Sequence, residues 1–156
     1  MTNENGERSG FGTRCIHAGQ REPDPATGAR APPIYQTSSY VFEDAGNAAD
    51  RYALEADGNV YSRFDNPTVS MLEARLASLE SGTGAVATGS GMAALAAATS
   101  VLGSTGDNIV SASSIYGGTH TYLTHTASRR GIEARFVDTL DPEAYADSID
   151  EDTAFV

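Results

Sequence analysis

The stretch Ala85–Ala98, AVATGSGMAALAAA, joins a short apolar run, a Gly-Ser-Gly turn and an alanine-rich segment. A strand that turns on glycines into a helix aims several unpaired backbone N–H groups at one point, a geometry that binds phosphate. The candidate donors here are the amides of Gly91 and Met92 and the hydroxyl of Ser90. The sequence therefore predicts a phosphate site, and the next question is which compound carries the phosphate.

One candidate is a dinucleotide, because residues 89–94 fit the pattern G-x-G-x-x-A between a predicted strand and a predicted helix. That fingerprint also needs an acidic side chain at the carboxyl end of the next strand, where it binds the ribose. Here that strand ends in SASSIY, and Asp107 precedes it at the opposite edge of the sheet. The pattern therefore gives NAD binding only weak support.

The other candidate is a single phosphate on a flat ring. Tyr116 follows the next strand at its carboxyl end, where open α/β sheets bind ligands, and its ring can stack on a planar cofactor. Tyr61 and Arg63, in NVYSRFDNPT, supply a phenol and a guanidinium two residues apart. In an extended segment both side chains point the same way, and the planar guanidinium suits phosphate.

Alternating strand and helix patterns position these residues. The predicted strands are residues 84–88, Asp107–Ser113, Glu133–Thr139 and the start of one at 153–156, and the predicted helices are Met92–Leu102, Thr119–Arg130 and one opening at Asp141. Such alternation forms βαβ units and a mostly parallel sheet, so the fold class is α/β. A buried strand at Val156 leaves its sheet half covered, so we expect a chain cut short relative to its fold.

A long helix precedes this alternation. Asn66 suits the N-cap, Pro67 the first helical position, and Gly82 a position just past the end. One apolar stripe runs along the predicted helix and consists of Val69, Leu72, Leu76 and Leu79. Residues 1–60 are rich in Gly, Pro, Thr and Asp and predict an irregular, extended arm, in which Pro23–Pro33 supports neither a helix nor a central strand.

The charge balance limits the partners. The ten cationic residues are all Arg and face 21 Asp and Glu, for a net charge of −11. This excess argues against nucleic acid and anionic membranes as partners, and an acid-rich, lysine-free surface suits a halophilic host. No apolar run approaches the length of a membrane span, about 20 residues, so we expect a soluble, cytoplasmic protein.

Cysteine and histidine chemistry has little support. The lone Cys15 cannot form an internal disulfide. It could act as a nucleophile with His17, His120 or His125 as the base, but no local nucleophile signature surrounds it. His120 and His125 are five residues apart, which on a helix places them about 140° apart. The sequence contains neither CxxC nor HExxH, so we predict no metal site.

Five motifs, in one order, resemble the pyridoxal-phosphate enzymes of cysteine and methionine metabolism. They are HAGQ, PPIYQTSSYVF, YSRFDNPT, TGSGMAA and SSIYGGTHTYL, and the resemblance runs from about Gly12 to the last residue. Five spaced motifs are far more specific than any one of them. Within the family, DGNVYSRFDNPTVSMLEARLASLE is most similar to the O-acetylhomoserine sulfhydrylases and less similar to the cystathionine synthases and lyases.

The resemblance implies a fold type I pyridoxal-phosphate transferase-like large domain, incomplete, with its first part at residues 61–156. Residues 1–60 would be an N-terminal arm that clasps a neighbouring subunit. Pyridoxal 5′-phosphate would be the cofactor. Ser90, Gly91 and Met92 would bind its phosphate.

The same resemblance assigns the aromatic and cationic candidates. Tyr116 would stack on the pyridine ring and assist proton transfers. Tyr61 and Arg63 would reach the phosphate in a neighbouring subunit, which implies a homodimer or homotetramer with shared active sites. Tyr61 and Tyr116 would be the catalytic groups near the reacting atoms.

The chain departs from the family in having no lysine, so it cannot supply the Schiff-base amine. In the family that lysine and the acidic partner of the pyridine nitrogen lie beyond the point matching Val156. The resemblance implies the N-terminal portion of an enzyme that makes homocysteine and acetate from O-acetylhomoserine and sulfide, in methionine biosynthesis. Two alternatives stay open: a cystathionine γ-synthase or γ-lyase, and a non-catalytic truncated chain that binds a phosphorylated ligand or a homologous partner.

Overall fold

A computed structural model describes residues 9–20 and 22–156, in two compact units, Met1–Ala87 and Thr88–Val156. In chain order the helices are α1 (Phe11–His17), α2 (Ala45–Tyr52), α3 (Pro67–Glu80), α4 (Gly91–Leu102), α5 (Gly117–Thr121) and α6 (Pro142–Ala146). The strands are β1 (Asn108–Ala112), β2 (Glu133–Val137) and β3 (Thr153–Phe155). Within the described ranges, no helix is both long and apolar enough to cross a bilayer.

The second unit is a parallel sheet with flanking helices, as predicted. Its strand order is β2–β1–β3, and β1 pairs in parallel with both neighbours. The core beside β1 contains the buried side chains Ile109, Leu123, Ala127 and Ile132. The neighbouring side chains Ile109 and Val110 are 2% and 0% exposed, and because successive residues of a strand point to opposite faces, β1 is buried on both faces.

Helix starts in this unit follow their capping residues. The Ser90 hydroxyl accepts a hydrogen bond from the Ala93 amide at 3.1 Å, and the Asp141 carboxylate accepts one from Glu143. The helix expected over Thr119–Arg130 begins two residues earlier, as α5, and continues through a π-helical turn and a 3-10 turn to Arg130. Gly131, at a φ of +76°, ends it.

A polar cluster fastens β3 to β1 at the amino end of the sheet. Asn108 is 1% exposed, and its amide donates to the Asp150 carboxylate at 2.7 Å while its carbonyl accepts from the Thr153 hydroxyl at 2.8 Å. Arg135 donates to the other Asp150 oxygen at 2.6 Å. First the Arg135 guanidinium and then the Asn108 amide hold the pKa of Asp150 at about 2.

The strand predicted at residues 84–88 is wrong for this structure. The sheet contains β1–β3, and residues 84–88 form no strand within the described part of the chain. The Ala87 amide donates to the Glu73 side chain at 2.7 Å instead of to a neighbouring strand, and Val86 is 85% exposed. A short apolar run becomes a strand only where another strand accepts its hydrogen bonds.

In the first unit, arginine side chains connect α1 to α3 by donating hydrogen bonds to backbone carbonyls. Arg75 of α3 donates to the carbonyls of Ala18 at 2.9 Å and Ile16 at 3.2 Å, and Arg14 of α1 donates to the Ser78 carbonyl. These bonds lay α1 against α3. Gly19 follows at a φ of +80°, where a Cβ would lie 2.3 Å from the carbonyl oxygen of Met71.

The expectation of an irregular stretch without helices in residues 1–60 is also wrong, because α1 and α2 form there. Asp44 caps α2 by accepting from the Asn47 amide at 2.8 Å, a capping signal that the sequence analysis missed. Pro23–Pro33 contains neither helix nor strand, as predicted. The first eight residues of the expected arm lie outside the described residues.

Helix α3 matches its prediction, and Gly82 lies just past its C-cap residue. Asn66 caps it and Pro67 is its first residue, as predicted. The left-handed conformation falls on the C-cap residue Ser81, at a φ of 62°. The predicted apolar stripe is partly uncovered: Val69, Leu72 and Leu76 are 39%, 47% and 43% exposed.

Candidate cofactor site

The glycine turn of the second unit presents hydrogen-bond donors at the start of α4. Gly91 and Met92 are the first two residues of this helix, so their amides have no acceptor inside it. The Ser90 oxygen already accepts from Ala93, but its hydroxyl hydrogen remains a donor. Two amides, a hydroxyl and the positive end of a helix dipole thus face the same point, which suits an anion.

Space at the turn fits close approach by a ligand. A Cβ built on Gly89 or Gly91 meets no atom within 4 Å in the described residues, and neither glycine has a positive φ. Within this unit neither backbone conformation nor crowding requires glycine at these two positions. A ligand oxygen that approaches the amides does use the open space, because a side chain there would stand in its way.

Tyr116 lies near this turn, in the same unit. It follows β1 as the N-cap residue of α5, and 73% of it is exposed. Its ring covers Gly118, where a Cβ would lie 2.4 Å from the ring carbon Cε1. The Thr119 hydroxyl contacts the Met92 sulfur at 3.8 Å, which links the start of α5 to the first turn of α4. The contact between Thr119 and Met92 therefore places the helix that follows Tyr116 beside the first turn of α4, where the anion donors lie.

Asp107 lies at the other edge of the sheet, as expected. It precedes β1, and its carboxylate accepts from the Ser104 amide at 2.8 Å within a tight turn. An acidic side chain at that edge cannot hold a ribose whose phosphates lie at the start of α4. The geometry therefore gives the dinucleotide alternative no support.

Tyr61 and Arg63 belong to the first unit, where they lie in a turn. The expected extended backbone is wrong, because the amides of Phe64 and Asp65 fold back to the Tyr61 carbonyl at 2.8 and 3.1 Å. The pair is nevertheless together. The Arg63 guanidinium carbon lies 5.5 Å from the Tyr61 ring centroid and 5.1 Å from that of Phe64.

Three contributors to these arrangements were missed from the sequence. Phe64 gives the Arg63 guanidinium a second aromatic face, Gly118 makes room for the Tyr116 ring, and Thr119 joins the two helix starts. The sequence offered two signals, namely the aromatic Phe64 next to Arg63 and the second glycine, Gly118, after Tyr116. Neither signal has a meaning until the turn geometry is known.

His120 packs against an aromatic side chain. The His120 ring stacks on Phe136, with centroids 4.3 Å apart and an interplanar angle of 19°. Within residues 9–20 and 22–156, no group of three or more His, Cys, Asp or Glu is placed to hold a metal ion. Cys15 lies on α1, half-buried.

Comparison with known proteins gives the class. Residues 12–156 match the family described as Cys/Met metabolism PLP-dependent enzyme, and the chain belongs to that family. It is 50% identical over 145 residues to a homocysteine/cysteine synthase of Kluyveromyces lactis, which covers 93% of this chain and 33% of that protein. It is 47% identical over 152 residues to an O-acetyl-L-homoserine sulfhydrylase of Corynebacterium glutamicum, covering 97% of this chain and 35% of the relative.

The structure agrees with this class. A crystal structure from Campylobacter jejuni that contains N′-pyridoxyl-lysine-5′-monophosphate has a TM-score of 0.82 and 39% sequence identity. The match covers 93% of this chain and 36% of that one. The family resemblance and the α/β fold predicted from the sequence are therefore confirmed. The chain spans about a third of the length of the relatives that it matches.

Proposed function

We propose that this chain is the N-terminal portion of an enzyme that uses pyridoxal 5′-phosphate to replace the acetate of O-acetylhomoserine with sulfide, giving homocysteine for methionine biosynthesis. The observation that carries the proposal is the start of α4 with the start of α5 beside it. Helix amides without an internal acceptor and a serine hydroxyl lie at the start of α4, and the helix that follows the exposed Tyr116 contacts the first turn of α4, which supports a site for a phosphate attached to a flat ring. The names of the similar proteins support the choice of substrate.

Each residue has a distinct part in this proposal. The amides of Gly91 and Met92 and the hydroxyl of Ser90 bind the phosphate. Tyr116 lies against the ring, keeps water from one ring face, and holds a proton at its phenol oxygen. When bound, the cofactor supplies an electron sink for charge that develops on substrate carbon.

Tyr61 and Arg63 complete the phosphate site from a neighbouring subunit in this proposal, with Tyr61 as the second catalytic phenol. The exposed apolar stripe of α3, formed by Val69, Leu72 and Leu76, supports a homodimer or homotetramer, because such a stripe is normally covered by protein. The chain has no lysine, so an amine that attaches the cofactor covalently comes from outside residues 1–156.

The proposal also includes a cytoplasmic location and a salt-rich host. The lone Cys15 supports a reducing compartment, since no internal disulfide can form. A net charge of −11 without lysine supports the salt-rich host, because dissolved ions screen the self-repulsion of an acidic surface.

The polypeptide encoded by the complete gene, here called the complete gene product, provides the test. Supplied with pyridoxal phosphate, O-acetylhomoserine and sulfide, it is expected to release homocysteine and acetate in equal amounts. Arg63→Ala removes the phosphate-binding fork and lowers kcat/KM about 10-fold or more. Arg129→Ala, the same change at an exposed arginine near the end of the helical segment, leaves kcat/KM unchanged.

Other products would redirect the proposal. Cystathionine made from cysteine in preference to homocysteine made from sulfide would identify a cystathionine γ-synthase. Release of ammonia and a 2-oxo acid would identify a γ-lyase. Cofactor binding without turnover would leave a non-catalytic chain, and no binding of pyridoxal phosphate would overturn the proposed function altogether.

A further inference from the structure

Asn66 uses every hydrogen-bonding group of its side chain, and it is only 6% exposed. Its carbonyl oxygen accepts from the Thr68 amide at 2.9 Å and caps α3. Its amide nitrogen donates to the Tyr35 carbonyl and to the Ser62 hydroxyl, each at 2.9 Å. One buried side chain therefore joins the start of a helix, a preceding loop and the turn that carries Tyr61 and Arg63.

Capping alone does not account for asparagine at this position. An N-cap needs one side-chain oxygen, which serine supplies about as well. The two N–H groups of Asn66 point away from the helix, one to the loop at Tyr35 and the other to Ser62. These two donations are what asparagine provides beyond serine, and one of them ends on the residue between Tyr61 and Arg63.

Ser62 is fixed from a second direction as well. Its hydroxyl donates to the Thr37 carbonyl, and its amide donates to the Ser38 carbonyl at 2.9 Å. Tyr61 pairs with Ser39 in an isolated antiparallel bridge. Because hydrogen bonds fix the backbone at Tyr61 and Ser62, the Cα positions from which the Tyr61 and Arg63 side chains extend are fixed as well.

The Arg63 guanidinium depends on that position. It lies near the rings of both Tyr61 and Phe64, within the range of cation–π attraction. No acidic side chain in the described residues pairs with it, since the salt bridges found there belong to Arg135. Its fork of donors is thus held by aromatic faces and remains available to an anion.

We propose that Asn66 is a positioning residue, which acts through Ser62 to hold Tyr61 and Arg63 where they bind the cofactor phosphate. The inference rests on the proposed function and deepens it. It predicts that Asn66 affects recognition of the phosphate group rather than of the pyridine ring. Pyridoxal, which lacks the phosphate, is therefore the matched ligand.

The experiment measures dissociation constants of pyridoxal phosphate and pyridoxal for the complete gene product and its variants. Asn66→Ser keeps an oxygen for the cap and removes both donations. Ser62→Ala removes the link between Asn66 and Thr37 while leaving the Asn66 cap intact. Arg63→Ala is the reference, and Arg129→Ala is the control. Thermal unfolding of each variant identifies any variant that fails to fold. If either Asn66→Ser or Ser62→Ala fails to fold, the other of these two variants decides the test.

Arg63→Ala is expected to weaken pyridoxal phosphate binding about 10-fold or more, with pyridoxal binding unchanged. Asn66→Ser and Ser62→Ala are expected to weaken pyridoxal phosphate about 3- to 10-fold, again without an effect on pyridoxal, since they disturb the fork without removing it. Added to Arg63→Ala, either change should have little further effect, because both act through the same guanidinium.

Two failures are distinguishable. If Arg63→Ala leaves the ratio of the two affinities unchanged, the proposed phosphate site is wrong and the inference falls with it. If Arg63→Ala changes the ratio but Asn66→Ser and Ser62→Ala do not, the proposed function stands and the positioning role is wrong. Equal weakening of both ligands by Asn66→Ser and Ser62→Ala would show a purely structural role and would also overturn the inference.

Discussion

The two units of the chain are stabilised in different ways. The second unit buries apolar side chains of its central strand and of the elements beside it, among them Ile109, Leu123 and Ile132. Among the described residues of the first unit, those that are buried are Ala18 and the polar residues Asp24 and Asn66. Apolar burial is non-directional, whereas a polar contact needs defined donor and acceptor geometry. The second unit is therefore best disrupted by removing volume, and the first by displacing backbone.

The largest effect is expected in the apolar core of the second unit. Ile109→Ala removes a side chain that is 2% exposed and should lower the free energy of unfolding by about 2–5 kcal/mol. Val86→Ala in the first unit truncates a side chain that is 85% exposed and lies outside the apolar stripe of α3, so its cost should be far smaller. Urea unfolding of both variants measures the difference, and equal costs would contradict the contrast between the units.

The next effect concerns the backbone contact of the first unit. Gly19→Ala places a methyl group 2.3 Å from the Met71 carbonyl oxygen at a φ of +80°, so α1 must move away from α3. Gly28→Ala has a similar φ, +70°, but no atom within 4 Å of its Cβ. We expect about 1 kcal/mol of strain at Gly28 and a larger loss, roughly 2–4 kcal/mol, at Gly19. Thermal unfolding measures both losses, and matching values would show that the close approach has no energetic weight.

A smaller effect follows from the polar cluster of the second unit. Arg135 and Asn108 hold the pKa of Asp150 at about 2, below its usual 3.8. A lowered carboxyl pKa stabilises the folded state above the unfolded pKa, and that contribution is lost as pH falls from near 4 towards 2. Asp150→Asn should flatten the stability profile in that window, whereas Glu151→Gln, an exposed neighbour, should not. An unchanged slope for Asp150→Asn would contradict the ion pair.

The smallest effect on stability is expected from added salt, which screens charge repulsion in both units. The chain carries a net charge of −11, so added KCl should raise the midpoint of thermal unfolding as it screens repulsion among carboxylates. Pairs of surface Asp→Asn changes should raise the midpoint at low salt and reduce its salt dependence. A midpoint that falls as KCl rises would count against a salt-rich host.

The two units also differ in how much of their structure can be predicted from the sequence. The strands and helices of the second unit follow from local apolar periodicity and from caps such as Ser90 and Asp141, because each signal lies within a few residues. The contacts of the first unit join distant residues, such as Tyr35 to Thr68 and Arg75 to Ala18. No local pattern encodes such bonds.

The candidate site shows both cases. The donors of Gly91 and Met92 were predictable although the strand expected before them does not form, because the first amides of any helix lack an acceptor inside it. The turn at Tyr61 and Arg63 was predicted as extended, because the alternation rule applies only to paired strands. The hydrogen bonds that Asn66 makes beyond its cap depend on where Ser62 and Tyr35 lie, and only the folded chain brings these residues together.

The most direct test of the account is a titration of the isotope-labelled chain with pyridoxal phosphate, followed by the amide ¹H–¹⁵N signals of Gly91 and Met92. Phosphate bound at the start of α4 should shift both signals downfield to saturation, and the shift should be absent with pyridoxal. Amides of the opposite sheet edge, such as that of Asp107, should not move. Saturable binding that leaves the Gly91 and Met92 signals in place would contradict the site.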